Sequence, residues 1–396
     1  MGVMTPNDGD RLNQGALAGV IVLEVANYVS GPFAGMLLSD LGADVIKIEP
    51  SNGDPFRGWG KSDYSATFGS LNRNKKSIVL DLKSQAGRET FRSLAARADV
   101  VLENFRPGTM ERMELGYDHL QSLNPGLIFC SISGFGSDGP YRDYPGYDTI
   151  GQAMGGLLSL LTEKTAPQPM GISLSDHLTG VFACYGILAA IIARQRTGRG
   201  QRVGTSLIES TVAFLAENAA NFFEGGPPPD RAKRTHQALV FAFVARDNRP
   251  LVIHLSSPQK FWTGLTKALE RQDLLADPSF RERTGRTDNY DALHAILADV
   301  FRTRDRDEWL ERLRAEDVPC GPLSDLKEVF DDPQVKFLGL KKELPHARRG
   351  TVAVVGNPVR LSDTPVQINR AAPDLGADTK AVLAMLTNKT GRTDAV

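Results

Sequence analysis

Cysteine is scarce in this chain. Cys130, Cys184 and Cys320 are the only three in 396 residues, far apart and without a C-x-x-C pair. That excludes a disulfide framework and a structural zinc of the usual ligand spacing, and leaves three thiols read as buried and reduced. An excess of positive charge is missing too: 46 Lys and Arg stand against 47 Asp and Glu. A nucleic-acid partner, which needs a clear basic surplus, is therefore not expected, although a local basic patch can still meet a small phosphorylated ligand. The longest apolar run, Val181 to Ala193, is too short for a bilayer. The opening "MGVMTPNDGDRLNQG" lacks the charged-then-apolar pattern of a secretion signal. A cytoplasmic protein with no membrane partner is the expectation. Internal repeats and low-complexity tracts are absent as well. What remains is an ordinary globular composition, 41% hydrophobic and 23% charged, in a chain long enough for two domains.

The first half alternates strand and helix signals. "GVIVLEV" (19–25) and "DVIKIE" (44–49) read as strands buried on both faces, flanking the helical period of "PFAGMLLSDLGA" (32–43). The pattern continues with strands at 77–82, 99–105 and 126–136 and a helix at 85–98. Such alternation predicts a doubly wound, Rossmann-like parallel sheet. A long apolar helix is predicted over 177–196, closed by "RTGRGQ", then a strand at 201–207 and a helix at 207–224. "EGGPPPDR" (224–231) reads as a linker. Beyond it come a hairpin turning at Asp247-Asn248, helical sequence over 258–315, and a return linker "VPCGPLSDL" at 318–326. The last segment carries one β run, "TVAVVG" (351–356), and a helix at 377–387. The expected division is a large α/β domain from 1–225, a smaller α+β domain at 226–325, and a return segment at 326–396 that completes the first.

Four stretches can carry chemistry. The first crossover ends at Glu49, where a dinucleotide-binding protein places its ribose-binding acid, but its loop "ANYVSGPFAG" has no G-x-G-x-x-G. Nicotinamide or flavin binding is disfavoured on that ground. "NRNKKSIVLDLK" (72–83) is either a solvated basic loop or an anion site at Lys75 and Lys76. "ENFRPGTMERM" (103–113) takes a strand end through a Pro-Gly turn, with Arg106 and Arg112 close by, and strand ends are where α/β sheets bind ligands. "SGFGSDGPYRDYPGYDTIGQAMGGL" (133–157) is rich in glycine and tyrosine, which lets backbone approach a ligand. Asp148 and Asp176 stand at loop–helix boundaries, where helix capping is the commoner role of aspartate.

These elements, with "LGADVIKIEP", "SDHLTGVFACYGILAAI" and "VPCGPLSDL", occur in the order in which they stand in the family III CoA-transferases. The chain resembles that family, which contains formyl-CoA transferase and carnitine CoA-transferases, from about residue 18 onward. The resemblance implies transfer of CoA from an acyl-CoA donor to a carboxylic acid, with Asp176 as the catalytic nucleophile that forms a mixed anhydride. A carboxylate at a helix N-terminus is expected to be held as the anion, and carboxylates serve as covalent nucleophiles. Position by position, the resemblance implies CoA contacts from Asn72, Asn74, Lys75, Lys76, Asn104, Phe105, Arg112 and Met113. It implies a substrate site of Asn27, Tyr28, Tyr147, Asp148 and Gln152. It further implies CoA or acyl-CoA as substrate, no metal, and a homodimer of interlocked rings.

Some positions depart from the family. Pro50 replaces a basic residue, and "RTHQALVFAF" (234–243) lacks an Asn-x-His-Pro element and any glycine-rich lid, which argues against formate or oxalate as the acid. The related α-methylacyl-CoA racemases use a His in a Gly-His-Asp element, where this chain has Gly146, Tyr147 and Asp148. Tyrosine is a poor base near neutral pH, and His177, adjoining Asp176, turns to another helix face, so transfer is favoured over racemisation. An acyl-CoA-binding protein without turnover is the remaining alternative, disfavoured by the intact Asp176. Arg231, Arg234 and His236 read as a solvated basic loop or, less readily, as an acceptor-carboxylate site.

Overall fold

The computed structural model describes residues 15–60, 64–256 and 258–387; the polar N-terminal segment lies outside them except for Gly15. The chain divides into two units. One comprises Met1–Leu158, Pro169–Ala216 and Lys336–Val396, the other Ser159–Gln168 and Glu217–Val335.

In the first unit, β1 (Ile21–Val25), β2 (Asp44–Glu49), β3 (Lys76–Val79), β4 (Val100–Glu103), β5 (Ile128–Ser133) and β6 (Arg202–Ser206) form one sheet. All neighbours are parallel and the order is β3-β2-β1-β4-β5-β6. These strands read as apolar runs because both faces are covered. Leu23, Ile46, Ile78 and Val101 meet Phe91 and Leu94 on one side. Their neighbours Val22, Val45, Val100 and Leu102 meet Leu38, Ala183 and Ile187 on the other. The order reverses between β1 and β4, which opens a crevice at their carboxyl ends.

Helices α1 (Ser30–Asp40), α2 (Gln85–Ala95), α3 (Asp148–Met154), α4 (Leu174–Thr197) and α5 (Leu207–Phe214) belong to this unit. The long helix starts three residues earlier than its apolar run suggests and stops at Gly198 in the left-handed conformation (φ 67°). Its 24 residues are long and apolar enough to cross a membrane by length and composition alone, a point the shorter run conceals. Ala183, Cys184, Ile187 and Ala190 are nonetheless buried in the core cluster that covers the sheet. The segment read as one helix from 207 to 224 breaks at Leu215 into α5 and a second helix, Ala216–Phe223.

Beneath the crevice lies a dry array of charges. Glu24, the next-to-last residue of β1, is fully buried, with Oε1 3.0 Å from Lys47 Nζ and Oε2 2.7 Å from Lys75 Nζ. Lys47 also meets Asp54 at 3.0 Å and donates to the Ala26 carbonyl at 2.7 Å. Arg57 holds Glu49 through Nε and Nη2, both at 2.7 Å. Three acids and three bases thus neutralise one another where solvent cannot. Gly35 is dictated by this array, since a Cβ there would stand 1.9 Å from Glu24 Oε2.

The basic stretch "NRNKK" is therefore a fastening rather than an exposed loop. Lys75 is fully buried and also donates to the Pro32 carbonyl and to Asn72 Oδ1, both at 2.8 Å. Burial holds its ammonium down to about 8, against the opposing pull of Glu24. Arg73 chelates Asp40 at 2.9 and 2.5 Å and donates to the Val355 carbonyl. Asn74, at φ 63°, accepts from the backbone N–H groups of Asn369 and Arg370. Lys76 begins β3 and pairs with Asp44 at 2.7 Å, at the amino-terminal edge of the sheet.

In the second unit, β7 (Val240–Val244), β8 (Pro250–His254) and β9 (Cys320–Pro322) form an antiparallel sheet. The hairpin turns through Asn248 at φ 59°, as predicted. Within the segment read as a return linker, Cys320–Pro322 is this sheet's third strand. "LVFAF" supplies β7, and Phe241 and Phe243 enter a core with Trp262, Trp309 and Leu297. After it, β10 (Lys341–His346) pairs antiparallel with β11 (Gly350–Val355), so the single predicted β run has a partner that its three leading charged residues conceal.

Glu24→Gln leaves Lys47 and Lys75 buried with one less compensating charge. A loss of about 3–5 kcal/mol is expected, read as a lower denaturation midpoint in urea. Glu114→Gln, at the exposed pair with Arg92, is expected to cost less than about 1 kcal/mol.

Candidate active site

The crevice is built from the chain leaving β1 and β4. Asn104 staples the two exits: its Oδ1 accepts the Asn27 N–H at 2.9 Å and its Nδ2 donates to the Asn27 carbonyl at 2.7 Å. Tyr28 follows in the left-handed region at φ 64°, a strained conformation for an aromatic residue. Its ring meets Phe56 and Tyr147 edge-on, at 5.5 and 5.9 Å between centroids.

Asp176 enters from the first turn of α4. It is the third residue of the helix, and Ser173 occupies the cap position, so the capping role expected of Asp176 does not apply. Nor is Asp148 a cap, because Tyr147 precedes it in that position. Instead Asp148 Oδ1 accepts the Asp176 N–H at 3.0 Å, while its Oδ2 accepts from Gln152 Nε2 at 2.5 Å. Gln152 is buried and also donates to the Ile172 carbonyl at 2.9 Å. Close packing fixes α3 in this pose: a Cβ on Gly151 would lie 2.5 Å from Ser175 Oγ, and one on Gly155 2.6 Å from Thr211 Cβ.

Burial, and secondarily the Asp148 carboxylate, push the Asp176 carboxyl up to about 7. This corrects the expectation from the helix terminus alone, which predicts a firmly ionised group. His177 faces away, its Nδ1 2.6 Å from the Ser173 carbonyl and its ring against Phe33.

Two cavities meet at Asp176 and share Tyr28 and Tyr147. One, of about 250 Å³, has Asn27, Asn104, Phe105, Arg106 and Arg142 in its wall. It runs past Phe105 and Arg106 into a further cavity with Arg202 and Glu103. Burial raises the Glu103 carboxyl to about 7, although Ser131 and the Phe105 N–H hold it down in part. The other cavity at Asp176 has about 460 Å³ and an aromatic wall of Tyr28, Phe56, Trp59 and Tyr147.

Asn27, Tyr28, Asn104, Phe105, Tyr147, Asp148 and Asp176 therefore converge, with Gln152 immediately behind. Asn72, Asn74, Lys75 and Lys76 line none of these three cavities, because distant acids and main-chain groups claim their polar atoms. Arg112 is exposed and donates to Thr109 Oγ1, and Met113 packs against the core below the sheet. Sequence reasoning left Arg142 and Glu103 unassigned. Their signals are a base inside the glycine- and tyrosine-rich loop and an acid at the very end of a buried strand. Arg231 and Arg234 are paired with Glu163 and Glu217 in the second unit. Among the described residues no cluster of His, Cys, Asp and Glu has the makings of a metal site.

The chain is similar over most of its length to proteins of known activity. Mouse succinyl-CoA:glutarate CoA-transferase is 37% identical over 374 residues, covering 93% of this chain and 85% of that one. Acetyl-CoA:oxalate CoA-transferase of Acetobacter aceti is 37% identical over 355 residues, 88% of this chain and 90% of the other. The crystal structure of a CAIB/BAIF family protein from Brucella suis superposes with a TM-score of 0.85 at 35% identity, covering 94% of this chain and 100% of that one. The model of CoA-transferase family III matches residues 17–379. With that match over the whole crevice, the chain belongs to CoA-transferase family III and is an enzyme that transfers CoA between an acyl-CoA and an acid.

Proposed function

We propose that transfer runs through an anhydride on Asp176. An Asp176 carboxylate oxygen attacks the donor's thioester carbonyl, the C–S bond breaks, and CoA leaves as the thiolate. The thiolate then attacks the aspartyl carbonyl, releasing the donor acid and leaving an aspartyl–CoA thioester. The acceptor carboxylate attacks that thioester, expels the thiolate again and forms a second anhydride. Attack of the thiolate on the acceptor's acyl carbon gives the new acyl-CoA and restores the carboxylate. Each step exchanges one acyl bond for another, so atoms and charge balance without an outside reagent.

The observation that carries this reading is Asp176 at the meeting point of two cavities, one for each reactant. The CoA arm is assigned to the side holding Asn27, Asn104, Phe105, Arg106 and Arg142, whose guanidinium groups suit phosphate. Main-chain N–H groups near Gly134 and Gly146, which line that cavity, are the available donors to the developing oxyanion. The Tyr147 position supports transfer over racemisation, since it offers no base.

The reading includes a homodimer. Val181, Tyr185 and Ile192 recur along one exposed stripe of α4, with Val212 and Phe214 exposed on α5, an apolar surface of the kind that a second copy covers.

Incubation with an acyl-CoA and hydroxylamine is expected to leave a hydroxamate at Asp176, seen by peptide mass spectrometry. Asp176→Ala should lose on the order of a thousandfold or more in kcat/KM; full activity of that variant contradicts the mechanism. Because the carboxylate is the nucleophile, acylation should rise with pH through about 7 and reach roughly a tenth of its plateau one unit below. Asp148→Asn removes the repelling charge and should move that inflection to lower pH in the kcat/KM profile. Light scattering after size exclusion should give twice the chain mass of 43.1 kDa, and Tyr185→Arg should shift the species toward that single mass.

A further inference from the structure

The two sides of Asp176 differ in chemistry as well as in size. On the CoA side, Arg106 and Arg142 stand in the wall, and Arg202 continues the basic track. On the other, Phe56 packs against Trp59 at 4.3 Å between centroids, Tyr28 meets Phe56, and Val29, Met170 and Ile172 complete the apolar surface. Its charged groups are Asp148 and Asp176 alone, and no Lys, Arg or His lines it among the described residues. Arg57, close in sequence to this wall, is buried and committed to Glu49 and the Pro373 carbonyl.

A reacting acid places its carboxyl at Asp176 and its body in this chamber. An apolar body is favoured there because it leaves water for an apolar wall. A second carboxylate there finds, among the described residues, no cation to pair with and faces Asp148 besides. The chamber's 460 Å³ is well beyond what a two-carbon acid fills.

We infer that the acids exchanged by this enzyme are monocarboxylic, with an apolar chain or aromatic ring as the body. This distinguishes it from the relatives above whose names carry succinate, glutarate or oxalate. The inference rests on the aspartyl mechanism and on the acid occupying the aromatic side.

The test compares four thioesters, hexanoyl-, phenylacetyl-, succinyl- and glutaryl-CoA, each with hydroxylamine, following CoA thiol release and the adduct at Asp176. Hexanoyl- and phenylacetyl-CoA should exceed the two dicarboxylic thioesters by roughly tenfold or more in the second-order rate constant of adduct formation. Ile172→Arg, at an exposed position of the chamber wall, should shift the succinyl-to-hexanoyl ratio upward by about tenfold. Trp59→Arg places the same charge at another lining position and serves if the first variant misfolds. Equal or faster reaction of succinyl- or glutaryl-CoA, with the Asp176 adduct forming, overturns the inference and leaves the mechanism standing. Thiol release with no adduct at Asp176 strikes the mechanism itself, and the inference with it.

Discussion

A carboxylate in the centre of a parallel sheet is the constraint on which the rest depends. Glu24 occupies a strand position that otherwise calls for an aliphatic side chain, and once there it must be neutralised from within the protein. Lys47 from the next strand and Lys75 from the approach to the third supply that charge. Lys47 also grips the Ala26 carbonyl just where the chain leaves β1. The array therefore does more than balance itself. It ties three strands together beneath the crevice and sets the path of the loop that carries Asn27 and Tyr28. Asn104 then ties that loop to the exit of β4.

On that floor, environment does what residue type alone cannot. Asp148 and Asp176 are both aspartates near helix starts, yet they have different work. Asp148 is engaged through both oxygens, by the Asp176 N–H and by Gln152. Asp176 is crowded by apolar walls and by its neighbour's charge, which makes its carboxyl less acidic than an ordinary aspartate's. A carboxylate with diminished hydration is a stronger nucleophile, at the cost of a smaller ionised fraction near neutral pH. The helix terminus remains a favourable location but does not set the ionisation.

Much of this was legible in the sequence, for identifiable reasons. The strands of the first sheet stand out because burial on both faces makes them uniformly apolar, and the glycine- and tyrosine-rich stretch marks a loop that a ligand approaches. The order of motifs along the chain groups Asn27, Asn104, Tyr147 and Asp176 into one site. "NRNKK" misleads because its partners are remote: Asp40 and Glu24 lie tens of residues earlier, and the main chain of 355–370 lies hundreds later. Local reading sees a basic run and cannot see the acids that claim it. The same limit hides the strand Lys341–His346, whose charges mask its pairing, and the strand Cys320–Pro322, which looks like a hinge because it is short and ends in proline.

The return of the chain to β3 has a consequence for biosynthesis. β3 is an edge strand, and its free side is covered by the far end of the polypeptide. Ser77 exchanges two hydrogen bonds with Asp378, at 2.9 Å each, and Val79 donates to Thr379 Oγ1. A ribosome releases all six strands of the sheet and the entire second unit before those residues exist. Throughout that interval the nascent sheet presents an open edge of unpaired main-chain groups, the kind of surface on which neighbouring chains aggregate. The flank of the finished sheet is thus sealed by residues made long after its strands.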